Sequence, residues 1–267
     1  MAYRLLALDL DGTLLDRRSQ VSPANREAIR RAQQAGLRVV ICTARIPHTA
    51  RPIAEEIGAP VPLIACVGAW NILPDGSDDL TLFEPEIVRR FADLADAEGL
   101  NLSITTSEPR ILLRWADAEA PRDLPQEALR FVEVIARFDG RVPAEAVRIF
   151  SGETRSAERL LRAFEDLRGR INFYRTAMDG VVRELHVVPG GASKGRALQR
   201  ICAQLGIGRE EVAAVGDSET DLDMIEWAGL GVAVAGAMPE VRAAADLIAP
   251  AFDEDAVAWV IARLLEL

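Results

Sequence analysis

The chain contains few cysteines and histidines, the residues that build disulfide frameworks and most transition-metal sites. Its 267 residues include three cysteines and two histidines. The cysteines are far apart, odd in number and without a Cys-x-x-Cys pair, so we expect buried free thiols in a reducing compartment. Both histidines are isolated, so neither is assigned to a metal. These residues are Cys42, Cys66, Cys202, His48 and His186.

Positive charge is outnumbered by negative charge, with 31 Lys and Arg residues against 41 Asp and Glu residues. The formal net charge is −10 at pH 7 and the pI is about 4.9. Affinity for nucleic acids comes largely from Lys and Arg side chains that neutralise phosphates, so this balance argues against a nucleic-acid partner. The same charge repels a free phosphate ester at long range. An anionic substrate therefore has to be attracted by a local positive field.

Long apolar runs are missing as well. No uninterrupted run approaches the roughly 20 residues that span a bilayer, and the apolar run at the N-terminus stops at Asp9. We therefore expect neither a signal peptide nor a membrane partner, and a cytoplasmic location. Hydrophobic residues make up 49% of the chain, enough for a full core. No pattern distinguishes a monomer from a homodimer.

A predicted strand followed by two aspartates lies near the start of the chain. Residues 3–8 are apolar enough for a strand of a parallel sheet, and Asp9, Asp11, Gly12 and Thr13 follow. Side chains two apart on a strand point to the same side, so the two carboxylates converge. Such a pair needs a compensating cation or one retained proton, and both outcomes are chemically useful. A hard cation such as Mg²⁺ takes carboxylate oxygens, and a free carboxylate held at a phosphorus can act as a nucleophile while its neighbour moves protons. The alternative is a turn capped by Asp11.

The order of strands and helices predicts an α/β protein with two domains. Buried strands alternate with helices over residues 1–82 and 184–267, which indicates a Rossmann-like parallel-sheet core domain built from both segments. Residues 83–183 have a mixed pattern, so we expect a separate α+β domain inserted there. Within it, a loop with two prolines precedes a predicted helix over residues 126–138.

A second polar segment, Thr43-Ala44-Arg45, directly follows the next predicted strand of the core domain. The Thr43 hydroxyl and the backbone N–H groups of this turn can donate hydrogen bonds to a phosphate. A Thr that closes a strand is the ordinary alternative. Arg45 either helps to hold phosphate or faces solvent, and both interpretations stay open.

Lysine is almost absent: Lys194 is the one lysine among 31 Lys and Arg residues. It stands in a glycine-rich entry to a predicted helix, and helix N-termini favour anions. With basic positions so strongly biased to Arg, a single Lys indicates a need for a compact point charge. A solvated surface Lys is the alternative.

Acidic residues also follow a later predicted strand, in the segment from Gly216 to Asp221. Asp217 is the natural third carboxylate for Mg²⁺, beside Asp9 and the backbone carbonyl of Asp11. Asp221 can complete the metal's surroundings or orient the lysine. A polar loop that caps the following helix is compatible with both roles.

Together these segments resemble the motifs of the haloacid dehalogenase-like phosphatases. An inserted α+β domain between the second and third motifs is similar to the subclass with a large cap, and within it to the Cof-type sugar-phosphate phosphatases. The segments that carry the resemblance are Asp9-Leu10-Asp11-Gly12-Thr13-Leu14-Leu15, Thr43-Ala44-Arg45, Lys194 and Gly216-Asp217-Ser218-Glu219-Thr220-Asp221.

The resemblance implies a Mg²⁺-dependent phosphatase that hydrolyses small phosphorylated metabolites through an aspartyl-phosphate. A phosphomutase that uses the same intermediate is the first alternative, and a non-catalytic protein that binds phosphometabolites is the second. The implied site consists of catalytic Asp9, Asp11, Thr43 and Lys194, phosphate-binding Asp9, Gly12, Thr43, Ala44, Lys194 and Thr220, metal-binding Asp9, Asp11 and Asp217, and supporting Asp221 and Arg45.

The chain departs from the Cof-type pattern mainly by losing asparagines. Val67, Thr220, Gly236 and Phe252 stand where the family commonly has Asn, and Ala44 replaces a common Gly. We expect the substrate to be selected by the inserted domain. Its candidate contacts, each of which has a surface or core role as the commoner explanation, are Arg110, Arg114, Trp115, Arg175 and His186.

Overall fold

A computed structural model describes residues 3–108, 110–115, 129–178 and 181–266. The chain divides into two compact units: unit 1 is Met1–Asp79 with Ser193–Leu267, and unit 2 is Leu80–Ala192. The sequence prediction sets the corresponding borders at residues 82/83 and 183/184. None of the described helices is long and apolar enough to cross a membrane.

The secondary structure of the described residues alternates between strands and helices. The strands are β1 (Leu5–Leu8), β2 (Arg38–Cys42), β3 (Leu63–Ala65), β4 (Trp70–Ile72), β5 (Asp78–Leu80), β6 (Leu102–Thr106), β7 (Ile111–Arg114), β8 (Val132–Ile135), β9 (Ala146–Ser151), β10 (Ile171–Met178), β11 (Val181–Pro189), β12 (Val212–Gly216), β13 (Leu230–Val234) and β14 (Leu247–Ala249). The helices are α1 (Pro23–Gln34), α2 (Pro47–Glu56), α3 (Pro85–Glu98), α4 (Thr154–Ala163), α5 (Lys194–Leu205), α6 (Leu222–Trp227), α7 (Pro239–Ala244) and α8 (Ala256–Glu266).

Unit 1 is built on a sheet in the order β14-β13-β12-β1-β2-β3-β4-β5. The pairs from β14 to β3 are parallel, and β4 pairs antiparallel with β3. Every residue of β1 and β12 is buried, as expected for central strands of a sheet covered on both faces. The structure therefore confirms the α/β class and the Rossmann-like parallel core.

Helix ends in unit 1 follow the signals in the sequence. The Ser22 hydroxyl accepts a hydrogen bond from the Asn25 N–H, and Pro23 occupies the first turn of α1. Helix α5 ends at Gly206, whose φ of 63° is left-handed and needs no Cβ.

Unit 2 has a mostly antiparallel sheet in the order β10-β11-β9-β6-β7-β8. Its core packs α3 and α4 against one face of the sheet, through residues such as Ile104, Ile149 and Val187. The rings of Phe91 and Phe164 stack within this core, with centroids 3.9 Å apart. This arrangement is an α+β domain.

The sequence prediction is wrong for part of unit 2 and misses one strand of unit 1. Residues 132–135, predicted as part of a helix, form β8, which pairs parallel with β7. Val132, Val134 and Ile135 are β-branched, and the open edge of β7 supplies the hydrogen-bond partners, so sheet pairing overrides the helical periodicity. Strand β14 was not predicted, because its three residues are too short to show a pattern. The predicted proline loop and the start of that helix lie outside the described residues.

Candidate active site

Three polar segments of unit 1 lie at one edge of the sheet, because each directly follows one of three neighbouring strands. Asp9 follows β1, Thr43 follows β2 and Asp217 follows β12, and β1 lies between the other two. Because these strands are parallel, their carboxyl ends share one edge, where α/β sheets bind ligands. The backbone N–H of Asp9 donates to Val215 at 3.1 Å, so the register continues into the first motif.

Lys194 is the positive charge of this edge. Its side chain is 1% exposed, and its Nζ donates to Asp9 Oδ1 at 2.8 Å and to Asp221 Oδ1 at 2.6 Å. Burial alone would lower the pKa of Lys194, but the charges of Asp221 and Asp9 outweigh it and raise the pKa above its ordinary value. The amine is therefore a buried ammonium, and the structure excludes a solvated surface lysine.

Asp221 orients the lysine and has little capacity left for a ligand. Its Oδ1 accepts from Lys194, while its Oδ2 accepts from the backbone N–H of Asp217 at 3.1 Å and from the N–H and hydroxyl of Ser218, both at 3.0 Å. A Cβ at Gly216 would lie 2.4 Å from the Cβ of Asp221, so this packing requires glycine. Asp221 thus ties the loop after β12 to the lysine.

The carboxylate oxygens of Asp9 and Asp217 accept fewer hydrogen bonds than those of Asp221, so they can still bind a ligand. Burial raises the pKa of Asp9 well above its ordinary value, the charge of Lys194 opposes this, and the charges of Asp221 and Asp217 add to it. Burial and the charge of Asp221 raise the pKa of Asp217 to about 7. The described residues give Asp217 one weak partner, the Thr13 hydroxyl at 3.4 Å. Sequence reasoning missed this role of Thr13, which is fully buried.

The donor set fits a hard divalent cation. One carboxylate oxygen from each of Asp9, Asp217 and Asp221 lies within 4.8 Å of the others. Oxygen ligands of this kind suit Mg²⁺, and a cation here would offset the burial and the mutual repulsion that raise the pKa values of Asp9 and Asp217. Asp221 already has four hydrogen bonds, so Asp9 and Asp217 are the residues best able to hold the ion.

Asp11 lies apart from that carboxylate cluster. Its side chain is 57% exposed, and Arg45 donates to it through Nε at 2.8 Å and Nη2 at 2.6 Å. This fork matches the planar guanidinium to both carboxylate oxygens. Arg45 is therefore not a freely solvated residue: its side chain is 18% exposed and is paired with Asp11.

Thr43 is buried beside this pair, and its Oγ1 accepts from the Arg45 N–H at 3.1 Å. Since that bond uses a lone pair, the hydroxyl proton stays available for an anion. Thr220 is also buried, and its hydroxyl lies 2.9 Å from that of Ser218. Ala44 follows Thr43 in the same turn.

The turn after β3 holds the second motif in place through an unusual backbone. Cys66, Val67 and Gly68 all have positive φ, of 47°, 55° and 83°. The Cys66 and Val67 N–H groups donate to the carbonyls of Arg45 and Thr43, at 2.9 and 3.1 Å. A left-handed β-branched residue is a strained outlier, whereas Asn tolerates this region. Val67, one of the lost asparagines, is thus accommodated at a conformational cost.

The residues of unit 2 that were predicted as candidate substrate contacts lie in different environments, some in the core and some at the surface. Arg114 is 6% exposed and pairs with Asp96 at 3.1 Å, which is a core role. Arg110 donates to Glu133 at the surface. The His186 ring lies against that of Phe150, with centroids 4.8 Å apart. Trp115 donates its backbone N–H to Ile135, and Arg175 is an exposed residue of β10.

The three cysteines and the other histidine, His48, were not assigned to the site from the sequence. All three cysteines are buried free thiols, as predicted. His48 lies edge-on to Trp70, with centroids 5.7 Å apart.

Comparison with known proteins identifies the family. The sequence model of the haloacid dehalogenase-like hydrolases matches residues 6–261. The chain is similar to the 5-amino-6-(5-phospho-D-ribitylamino)uracil phosphatase YwtE of Bacillus subtilis (strain 168), at 28% identity over 98% of both chains. It is also similar to the phosphoglycolate phosphatase of Methanothermobacter thermautotrophicus, at 29% identity over 98% of this chain and 99% of the relative.

A solved structure agrees with these sequence matches. The crystal structure of a haloacid dehalogenase-like hydrolase from B. subtilis is 28% identical, covers 98% of this chain and 99% of its own, and has a TM-score of 0.82. The chain therefore belongs to the haloacid dehalogenase-like hydrolases. The resemblance read from the four motifs is confirmed.

Proposed function

We propose that the protein is a Mg²⁺-dependent phosphatase that hydrolyses small phosphomonoesters in the cytoplasm through an aspartyl-phosphate. The observation that carries the proposal is the buried Lys194 ammonium, which lies between Asp9 and Asp221 with Asp217 beside them. Three carboxylates with one ammonium leave a net negative cluster that a divalent cation would neutralise. A phosphoryl group could then bind against Lys194 and the ion.

The reaction needs two proton transfers and two nucleophiles, first Asp9 and then water. In the first step a carboxylate oxygen of Asp9 attacks phosphorus, the bond to the ester oxygen breaks, and Asp11 donates a proton to the leaving oxygen. In the second step Asp11 takes a proton from water, which attacks the aspartyl-phosphate and releases phosphate and Asp9. Arg45 holds Asp11 in one orientation between these steps.

The remaining site residues bind and orient the phosphoryl oxygens. Lys194 supplies an ammonium, and the hydroxyls of Thr43 and Thr220 with the backbone of Gly12 and Ala44 supply hydrogen-bond donors. Asp9 and Asp217, with the backbone carbonyl of Asp11, would hold Mg²⁺. When bound, the ion supplies charge stabilisation to the phosphoryl oxygens.

The relatives support a small metabolite as substrate but do not narrow it further. At nearly equal identity, one acts on a phosphoribitylaminouracil and another on phosphoglycolate. We propose that the inserted α+β domain, predicted at residues 83–183, is the cap that selects the leaving group. A sugar phosphate or a similar phosphomonoester is the expected class.

The test is turnover of a generic aryl phosphate by the intact chain, with and without Mg²⁺, and by Asp9→Asn. We expect Mg²⁺-dependent phosphate release by the native chain and a loss of at least about 10³-fold in Asp9→Asn, because an amide cannot form the aspartyl-phosphate. Near-native turnover by Asp9→Asn would reject the mechanism. Incubation with hexose phosphates, followed by analysis for free phosphate and for isomers, separates a phosphatase from a phosphomutase.

A further inference from the structure

A second carboxylate of the loop and helix after β12 contacts the helix that carries Lys194. Asp223, in the first turn of α6, accepts a hydrogen bond through Oδ2 from the backbone N–H of Gly195 at 3.0 Å. Gly195 directly follows Lys194 in the first turn of α5. The N–H groups of that turn have no partner within the helix, so the carboxylate satisfies one of them and complements the helix dipole.

The contact is close because Gly195 has no side chain. A Cβ at this position would lie 2.7 Å from Cγ of Asp223 and 2.7 Å from its backbone carbonyl oxygen, shorter than real Cβ contacts. Any larger residue would push the first turn of α5 away from α6. Gly195 and Asp223 are therefore matched to each other, and the match sets where the backbone of Lys194 lies.

The same loop also holds the other end of the lysine. Asp221 accepts from Nζ at 2.6 Å, while Asp223 holds the main chain one residue beyond Lys194. Asp221 and Asp223 thus form two points of attachment, one at the ammonium and one at the backbone. A long, flexible side chain is fixed most firmly when both of its ends are held.

We propose that Asp223 is a positioning residue, which docks the first turn of α5 so that the Lys194 ammonium reaches Asp9 and the phosphoryl oxygens. The catalytic part of this proposal rests on the proposed phosphatase function, whereas the docking part does not. The Asp223 side chain touches neither Asp9 nor Lys194 Nζ among the described contacts. It contacts the Gly195 N–H and the Ser193 hydroxyl, so its effect is exerted through the entry to α5.

The scarcity of lysine makes docking directly measurable. Lys194 is the chain's one lysine, so the rate at which an amine-reactive acylating reagent modifies it, followed by mass spectrometry of its peptide, reports how well its ammonium stays buried. We expect Asp223→Ala to be modified at least about tenfold faster than the native chain, because the first turn of α5 opens more often. Asp223→Asn keeps an oxygen that accepts from Gly195 and should label at nearly the native rate.

Kinetics supply the second measurement. A displaced Lys194 loses contacts made mainly in the transition state, so Asp223→Ala should lower kcat by about 10- to 100-fold while KM changes by less than about threefold. Asp223→Asn should restore most of kcat. The matched control is Asp246→Ala. The Asp246 carboxylate also accepts a hydrogen bond from a glycine, the N–H of Gly231 at the start of β13, at 2.8 Å. The control should change neither the labelling rate nor kcat.

Equal labelling of Asp223→Ala and Asp246→Ala would overturn the proposal, as would an Asp223→Asn variant that behaves like Asp223→Ala. If Asp223→Ala does not fold, Asp223→Ser, whose shorter side chain lacks the carboxylate, takes its place with the same expected outcomes. If the native chain turns over no phosphomonoester, the proposed function fails, and the labelling rates alone still decide whether Asp223 docks Lys194.

Discussion

Gly12 lies directly against the carboxylate of Asp217. A Cβ at Gly12 would be 2.5 Å from Asp217 Oδ2, and the residue has a φ of 82° that only glycine adopts readily. The first and last motifs thus meet at a position without a side chain. Gly12 was predicted as a phosphate-binding residue, and its contact with Asp217 is a separate reason for glycine there.

We expect Gly12→Ala to weaken Mg²⁺ binding by at least about tenfold, because the new methyl group displaces a carboxylate that holds the ion. Titration of Mg²⁺ followed by calorimetry measures this directly. Gly76→Ala is the matched control: its φ is 85°, but no atom lies within 4 Å of the added Cβ. Both variants carry the backbone strain, so equal Mg²⁺ affinities would show that the contact with Asp217 is unimportant.

The raised pKa of Asp217 predicts a pH-dependent metal affinity. Burial raises this pKa from 3.8 to about 7. Between these two pH values the folded, metal-free protein therefore keeps a proton on Asp217 that the unfolded chain has already lost. That proton stabilises the metal-free fold at low pH, and the contribution is lost as the pH rises through about 7. Mg²⁺ needs the ionised carboxylate, so its affinity should rise about tenfold between pH 6 and pH 8.

Calorimetry in two buffers of different ionisation enthalpy checks this prediction. Near pH 7 the binding of Mg²⁺ should release protons, and the rise in Tm caused by Mg²⁺ should be larger at pH 8 than at pH 6. Asp217→Asn should bind Mg²⁺ weakly and lose most of the proton release. An affinity that does not change between pH 6 and pH 8 would contradict the assignment of Asp217.

Much of this site was readable from the sequence because it depends on strand order. Asp9, Thr43 and Asp217 each follow an apolar run, and parallel strands bring their carboxyl ends to one edge. Lys194 was found by its rarity and its glycine-rich helix entry. Each of these signals lies within a short segment of the sequence, and the parallel order of the strands is enough to bring the segments together.

Other features could not be read because they depend on contacts between distant residues or on backbone conformation. The pair of Arg45 with Asp11 depends on how two loops face each other, and the left-handed turn at Val67 contradicts the preference of its side chain. Asp223 looked like any acidic residue of a short helix. Strand β8 was misassigned since its pairing partner, β7, is set by tertiary structure.

Replacing the buried ammonium should expose the repulsion among the carboxylates. In Lys194→Met, Asp9 and Asp221 stay buried without a counter-ion, so we expect the free energy of unfolding to fall by about 3–5 kcal/mol at neutral pH. The loss should be smaller at pH 5, where protonation removes the charge. Urea unfolding at both pH values measures this. Arg200→Met, which breaks the exposed pair with Asp79, should cost less than about 1 kcal/mol and serves as the control.

The fork between Arg45 and Asp11 predicts an effect that depends on the leaving group. Arg45→Ala frees Asp11 to rotate, so proton donation to the leaving oxygen should suffer. We expect kcat to fall by about 10- to 100-fold for an alkyl phosphate and by much less for 4-nitrophenyl phosphate, whose leaving group needs little protonation. Arg26→Ala, which removes a surface partner of Glu56, is the control. Equal losses on both substrates would instead assign Arg45 to phosphate binding.

The buried pair of Arg114 with Asp96 in unit 2 predicts a stability effect without a change in substrate range. Asp96 also accepts from the backbone N–H groups of Phe138 and Asp139, at 3.0 and 2.9 Å. Although burial opposes it, these bonds and Arg114 lower the pKa of Asp96, so the pair stabilises the fold above pH 4 and is lost at lower pH.

Because Arg114 is 6% exposed, Arg114→Met removes the buried cation that pairs with Asp96, while its two backbone hydrogen bonds and the charge of Arg137 remain. We therefore expect a loss of about 3 kcal/mol in the free energy of unfolding, at the low end for a broken buried pair. Arg110→Met breaks the exposed pair with Glu133 and should cost less than about 1 kcal/mol. Denaturant unfolding measures both values, and a panel of phosphorylated metabolites measures selectivity. A changed order of kcat/KM values in Arg114→Met, at unchanged stability, would make Arg114 a substrate contact rather than a core residue.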